Sequence, residues 1–215
     1  MRLSSIKETE AARVVFRRRN LSERLTVFFG NRATCGAAPG PEIWSGFAGR
    51  CQLNTVVIQP FAPHWYQGRA GLGVRSILSD VMAEFDLVTF AGIGMGAYGA
   101  LHTAQHLTAE EVIAVRPIAS LDPMKVPVGP ARHAEHNRLG RPLEPILTHR
   151  ARRYTVFASR GGDQAQMRRF YLPADRTRQF PLALCDGSGP MRLPEDLLLS
   201  LLEPPNQPLQ LAATA

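Results

Sequence analysis

"DLVTFAGIGMGAYGALHTA", Asp86 to Ala104, decides how the rest of the chain is read. Its first seven residues are almost continuously apolar, as in a strand covered on both faces. From about Met95 to Leu107 the residues favour a helix. Between the two stand Gly92, Gly94 and Gly96, with Gly99 close behind. A buried strand, a glycine turn and a helix make half of a parallel βαβ unit.

Working outward, the same grammar repeats. "RVVFR" (Arg13–Arg17), "RLTVFFG" (Arg24–Gly30) and "NTVVIQP" (Asn54–Pro60) read as strands before the glycine turn. Apolar residues at 74, 77, 78, 81, 82 and 85 follow helical spacing. After the turn, "EVIAVRPIAS" (Glu111–Ser120), "RYTVFAS" (Arg153–Ser159) and "QFPLALCDG" (Gln179–Gly187) are strand candidates, and "QMRRFYL" reads as helical. A last helix is expected over Pro194–Leu202. Strands alternating with helices predict a mostly parallel sheet in a three-layer α/β/α sandwich. Residues 123–150 break the rhythm with five prolines, two glycines and three histidines, and are read as a cap-like insertion over one end of the sheet. The expected organisation is one domain over 1–204 and a loose tail over 205–215.

At 215 residues, 45% hydrophobic and 20% charged, the composition is that of an ordinary globular domain. No apolar run reaches the roughly 20 residues of a spanning helix. "MRLSSIKETEAARVV" lacks the apolar stretch of an export signal, so a cytoplasmic location is expected. The net charge is +7, but of 25 basic residues only Lys7 and Lys125 are lysines, and the arginines are scattered. No basic stretch is interleaved with aromatic rings, which argues against nucleic acid as a partner. Cys35, Cys51 and Cys185 form no C-x-x-C and have no histidine at ligand spacing, so neither a disulfide framework nor a metal is expected. His102 and His106 are four residues apart on the same expected helix, yet Thr103 stands where a zinc-peptidase motif has glutamate. No cofactor is called for.

The glycine turn itself admits more than one reading. Gly94, Gly96 and Gly99 spell G-x-G-x-x-G after a strand and before a helix, the pattern of a dinucleotide fingerprint. At least two parallel strands precede it, however, and the next strand ends in Arg116 where an acid would meet the ribose. An arginine suits a 2′-phosphate, so a nucleotide-binding oxidoreductase stays open as one alternative.

Counted from Gly92, the same turn reads G-x-G-x-G, and the string "GIGMGAYGAL" resembles the G-x-S-M-G-x-Y-x-A-L nucleophile elbow of small bacterial α/β-hydrolases. The preceding strands and the stretches "HWYQG" (His64–Gly68) and "SLDP" (Ser120–Pro123) extend the resemblance over about residues 13–202. It implies an α/β-hydrolase-like fold with an elbow whose central residue is Gly94 instead of serine. The family's acid maps to Asp163 in "SRGGDQ", or alternatively to Asp122. Its histidine follows the last strand, but no histidine occurs after His149. With nucleophile and base both missing, attack and proton transfer are lost together.

The leading expectation is therefore a pseudoenzyme, a non-catalytic binding or accessory protein. A hydrolase of an ester or acyl substrate with a non-standard site is the other alternative. Because open α/β sheets bind ligands at the strand C-termini, the turn Asn31–Arg32, the loop His64–Trp65–Tyr66 and the Met95 amide are the expected ligand-binding residues. Amides and an arginine on one side and rings on the other suit a small anionic or carbonyl-containing ligand.

Overall fold

The computed structural model describes residues 3–19, 21–36, 53–159 and 162–181. The chain divides into two units, Met1–Ala183 and Leu184–Ala215, and all described residues belong to the first. Eight strands, β1 (Leu3–Glu8), β2 (Ala12–Arg18), β3 (Arg24–Phe29), β4 (Asn54–Pro60), β5 (Leu87–Ile93), β6 (Glu111–Val115), β7 (Arg153–Ala158) and β8 (Thr177–Pro181), form one sheet. Their order is β1-β2-β4-β3-β5-β6-β7-β8. The pairs β1–β2 and β2–β4 are antiparallel; every other pair is parallel. Helices α1 (Gly68–Met82), α2 (Met95–Thr103), α3 (Pro130–Leu139) and α4 (Gly162–Met167) connect the parallel strands, giving the three-layer α/β/α architecture. No helix among the described residues is long and apolar enough to cross a membrane.

The central strands owe their place to sequence. Every residue of β4 and β6 is buried, and so is all of β3 after Arg24. Such strands survive only where helices cover both faces. In register, Val27 lies between Val56 and Phe90 at the middle of the sheet. Phe29 meets Phe90 and Tyr66 edge-on, with ring centroids 5.6 and 5.3 Å apart.

Four elements differ from the sequence expectation. β1 was not anticipated: its residues 4–8 are all exposed, so it leaves no hydrophobic pattern. It is held instead by its ladder to β2 and by Thr9, whose hydroxyl accepts from the Ala11 and Ala12 amides at 3.2 and 3.0 Å. β6 stops at Val115, because Arg116 adopts a left-handed conformation (φ 46°) before Pro117. The helix expected around Gln166–Leu172 lies earlier, as α4, and ends at Met167. The 123–150 insertion contains α3, a polar helix with Pro130 in its first turn and Gly140 as a left-handed C-cap (φ 62°). Residues of β8 beyond Pro181, the helix expected over 194–202, the 205–215 tail, Cys51 and Cys185 fall outside the described residues.

Candidate functional site

The turn between β5 and α2 is built by glycines with different tasks. Gly94 has φ 56° and ψ −112°, a conformation that side-chain-bearing residues rarely adopt. A Cβ there would meet only Ile118 Cδ1, at 4.0 Å, so the position has room for a side chain but an unfavourable backbone. Gly92, Gly96 and Gly99 are the reverse case. A Cβ on Gly92 would strike the Gly96 backbone, one on Gly96 the Phe29 carbonyl, and one on Gly99 the Tyr66 ring. These three let α2 lie directly on the C-terminal ends of β3 and β5. The Gly94 amide donates to the Val115 carbonyl at 2.9 Å, which ties the turn to β6.

Around Gly94 the strand ends bring four segments together. After β3, Asn31 starts a 3-10 turn (Arg32–Thr34), and its side chain accepts from the Thr34 amide at 3.2 Å. After β4, Trp65 and Tyr66 both adopt positive φ, 56° and 55°. That turn sends the two rings inward, and each is 1% exposed. Expected to border a pocket, they are core residues: the Tyr66 hydroxyl donates to the Gly30 carbonyl at 2.8 Å, and Trp65 packs on Tyr98. His64 accepts the Tyr66 amide on Nδ1 at 3.0 Å, and burial holds its pKa below the ordinary value. Met95, in the first turn of α2, is 2% exposed. Amides of a helix's first turn have no intrahelical acceptor, so any ligand here would meet the positive end of α2.

Beyond β6 and β7 lie the two carboxylates. Asp163 follows β7 and is buried. Its carboxylate accepts from the Ser159 amide at 2.8 Å, the Ser159 hydroxyl at 2.6 Å and Arg116 Nε at 3.1 Å. Burial alone would raise its pKa, but the bonds from Ser159 and Arg116 outweigh that and hold it below the ordinary value. Asp122 is turned into its own loop. It accepts from the Met124 amide at 2.9 Å, and Lys125 Nζ stands 3.5 Å from its carboxylate. The loop that leads from β6 to Asp122 is braced by Gln166, whose carbonyl accepts from the Ala119 and Ser120 amides at 2.8 and 2.9 Å. Sequence reasoning missed Gln166, since a buried glutamine has no pattern of its own.

The insertion helix α3 comes down on this edge. Arg32 Nε lies 2.9 Å from Glu135 Oε1, and Arg138 donates to the Pro63 carbonyl at 3.3 Å. A groove of about 220 Å³ remains between α3 and the turn, lined by Arg32, Pro63, Ala131, Ala134, Glu135 and Arg138. The stretch after α3 is fastened to α2 by polar contacts. The Tyr98 hydroxyl donates to the Glu144 carbonyl at 2.8 Å, and His102 Nε2 is 2.9 Å from the Glu144 carboxylate. His102 is therefore engaged eight residues along α2 from Gly94, and His106 packs beside it at 5.5 Å between ring centroids. His133 and His136 lie on α3. A larger recess, about 440 Å³, opens at the opposite edge of the sheet among Met82, Phe85, Asp86, Glu110, Arg150 and Arg152. It lies away from the glycine turn and from both carboxylates.

No family model and no curated protein matches the sequence. Solved structures do. Carboxyl esterase 2 from the mycorrhizal fungus Tuber melanosporum matches with a TM-score of 0.54 at 11% identity, over 84% of this chain and 75% of that one. XC6422 from Xanthomonas campestris, an α/β serine hydrolase without a lid, matches with a TM-score of 0.52 at 13% identity, over 84% and 83%. One chain of the glycosylation-associated protein (Gap123) complex from Streptococcus agalactiae gives 0.46 at 22% identity; the match covers 65% of this chain but spans only 26% of that one. With the strand order, the first two place this chain in the α/β-hydrolase-like fold.

Proposed function

We propose that this protein is a non-catalytic α/β-hydrolase-fold protein that works in the cytoplasm as a binding or accessory protein. Its site is the C-terminal edge of the sheet around Gly94, and its ligand a small anionic or carbonyl-containing molecule. The observation that carries this reading is the pairing at the edge. Gly94 offers no attacking atom, and the carboxylate that follows β7 is bonded to Arg116 and Ser159 instead of to a histidine. A serine hydrolase needs its acid to hold an imidazole against the nucleophile. Here that acid neutralises a guanidinium.

The hydrolytic alternative takes its support from the structural neighbours, an esterase and a serine hydrolase. Among the described residues a Cβ at Gly94 would meet only Ile118 within 4 Å, and the one hydroxyl they place on a carboxylate at this edge, that of Ser159, is buried against Asp163 together with Arg116. Against the dinucleotide alternative, the Cβ side of Gly96, the glycine that would let a pyrophosphate approach, is filled by the Phe29 carbonyl. The turn also follows the fifth strand of the sheet, not the first. The test is turnover of short-chain p-nitrophenyl esters by the purified chain. The expected rate equals that of a heat-denatured control. Saturable turnover that one Cys or His substitution abolishes would overturn the proposal.

A further inference from the structure

Three arginines stand on three segments of the strand-end edge that holds the Gly94 turn, and their charge is not balanced by the carboxylates paired with them. Arg116 follows Val115, the residue whose carbonyl holds the Gly94 amide. Arg32 stands in the turn after β3, the strand against which α2 is packed. Arg132 descends from the insertion on α3, one turn before Glu135 and so on nearly the same helix face. Because Glu135 is ion-paired to Arg32, that face is directed at the strand ends. The charged groups acting on the Arg132 guanidinium are Arg116 first, then Asp163, Glu135 and Arg32. Arg132 is thus within electrostatic reach of both ion pairs of the edge.

Each of the two carboxylates has a cation beside it. Asp163 takes Arg116 at 3.1 Å, and Arg32 Nε stands 2.9 Å from Glu135, whose buried oxygens accept no hydrogen bond from any described residue. The Arg132 side chain has neither a hydrogen bond nor an ion pair to any described residue, and the residue is partly buried. Three guanidiniums against two carboxylates leave one positive charge on a partly buried side chain. A guanidinium in that setting gains most from an oxyanion, because its fork matches two oxygens at once.

We propose that Arg132, with Arg116 and Arg32, seats the phosphoryl or sulfuryl group of a small ligand at the Gly94 turn. This rests on the reading of that edge as a binding site and narrows its ligand from anions in general to tetrahedral oxyanions. A planar carboxylate is satisfied by one fork. A tetrahedral group presents oxygens to two or three arginines approaching from different sides, which is the arrangement here. Arg132 sets the specificity, since the other two arginines keep their carboxylates whether or not a ligand is present.

The experiment titrates the full chain with inorganic phosphate, sulfate, phenyl phosphate and acetate at matched ionic strength, by calorimetry and thermal shift. Phosphate, sulfate or phenyl phosphate should bind saturably and raise the melting temperature, while acetate at the same concentration should not. Tighter binding of phenyl phosphate than of phosphate assigns the group to an organic ester; the reverse assigns the free ion. Arg132→Gln should weaken binding at least tenfold, and Arg132→Lys, which keeps the charge but loses the fork, should fall between. Arg152→Gln, at the far edge of the sheet, should bind as the parent does. An equal response to acetate, or binding that Arg132→Gln leaves unchanged, would overturn the proposal. Ester turnover is measured on the same samples. Turnover with oxyanion binding intact refutes the non-catalytic reading and leaves the arginine site standing; absence of both refutes the site alone.

Discussion

Replacing Gly94 with serine separates backbone strain from chemistry. At φ 56° and ψ −112°, a residue with a side chain costs about 1–3 kcal/mol. Stiffening of the unfolded chain by the new side chain returns roughly 0.4–1 kcal/mol. The new Cβ finds Ile118 at 4.0 Å, an ordinary contact, so packing adds nothing to the cost. The midpoints of the two, about 2 and 0.7 kcal/mol, leave a net loss of about 1.3 kcal/mol, which for a domain of this size lowers the melting temperature by roughly 3–5 °C. Gly96→Ser is the comparison, since its Cβ would meet the Phe29 carbonyl, a backbone atom fixed in the central sheet. Overpacking of that kind adds about 1–3 kcal/mol, so this variant should melt clearly lower. Both are read by differential scanning calorimetry, with ester hydrolysis followed in parallel. Gly94→Ser should remain inactive, because no imidazole stands at the turn to accept its proton. Were the Gly94 variant as stable as the parent, or less stable than the Gly96 variant, the division of labour among these glycines would be refuted. Hydrolysis by Gly94→Ser would refute the account of the missing base.

Acid should weaken the fold well above the carboxylate range. Burial holds His64, His102, His106 and His149 below their ordinary pKa, so the native state keeps them neutral. The unfolded chain takes up protons below about pH 6.5, so the stability these groups give is full above that value and is lost as pH falls through it. The melting temperature should drop between pH 7 and 5, with a shallower slope in His102→Gln; a flat profile would refute the burial argument. Asp163→Asn removes the counter-charge of Arg116 and should lower stability by about 1.5–3 kcal/mol in denaturant unfolding. A change under about 0.5 kcal/mol would mean that the Arg116–Asp163 pair does not hold the edge.

The legibility of this chain in its sequence follows burial. β3, β4 and β6 are covered on both faces, and their apolar runs marked β3 and β4 with nearly the observed bounds and β6 with its start at Glu111. β1 buries nothing over residues 4–8 and so cannot be seen by hydrophobicity. Helix α3 buries only Glu135, and its traces were its ends, Gly129–Pro130 before and Gly140 after, not its faces. At the candidate site, chain order put Gly94 and Asp163 at the ends of neighbouring parts of the sheet. What joins Asp163 to Arg116 is the pairing of β6 with β7 across 47 residues, which no local pattern encodes. Trp65 and Tyr66 were legible as a loop after β4, but their direction is set by two positive φ angles that neither residue type announces.

The close seating of α2 on the sheet has an evolutionary consequence. Gly92, Gly96 and Gly99 each face an atom that cannot retreat: backbone for the first two, and for the third a ring pinned by its hydroxyl to Gly30. Selection for a folded protein is enough to keep them, whatever stands at position 94. A lineage that gave up hydrolysis would go on inheriting both outer glycines of the elbow's signature, Gly92 and Gly96, because those letters record the distance between a helix and a strand. In such a family the glycines date the ancestry of the fold, and only the residue they surround reports on the chemistry.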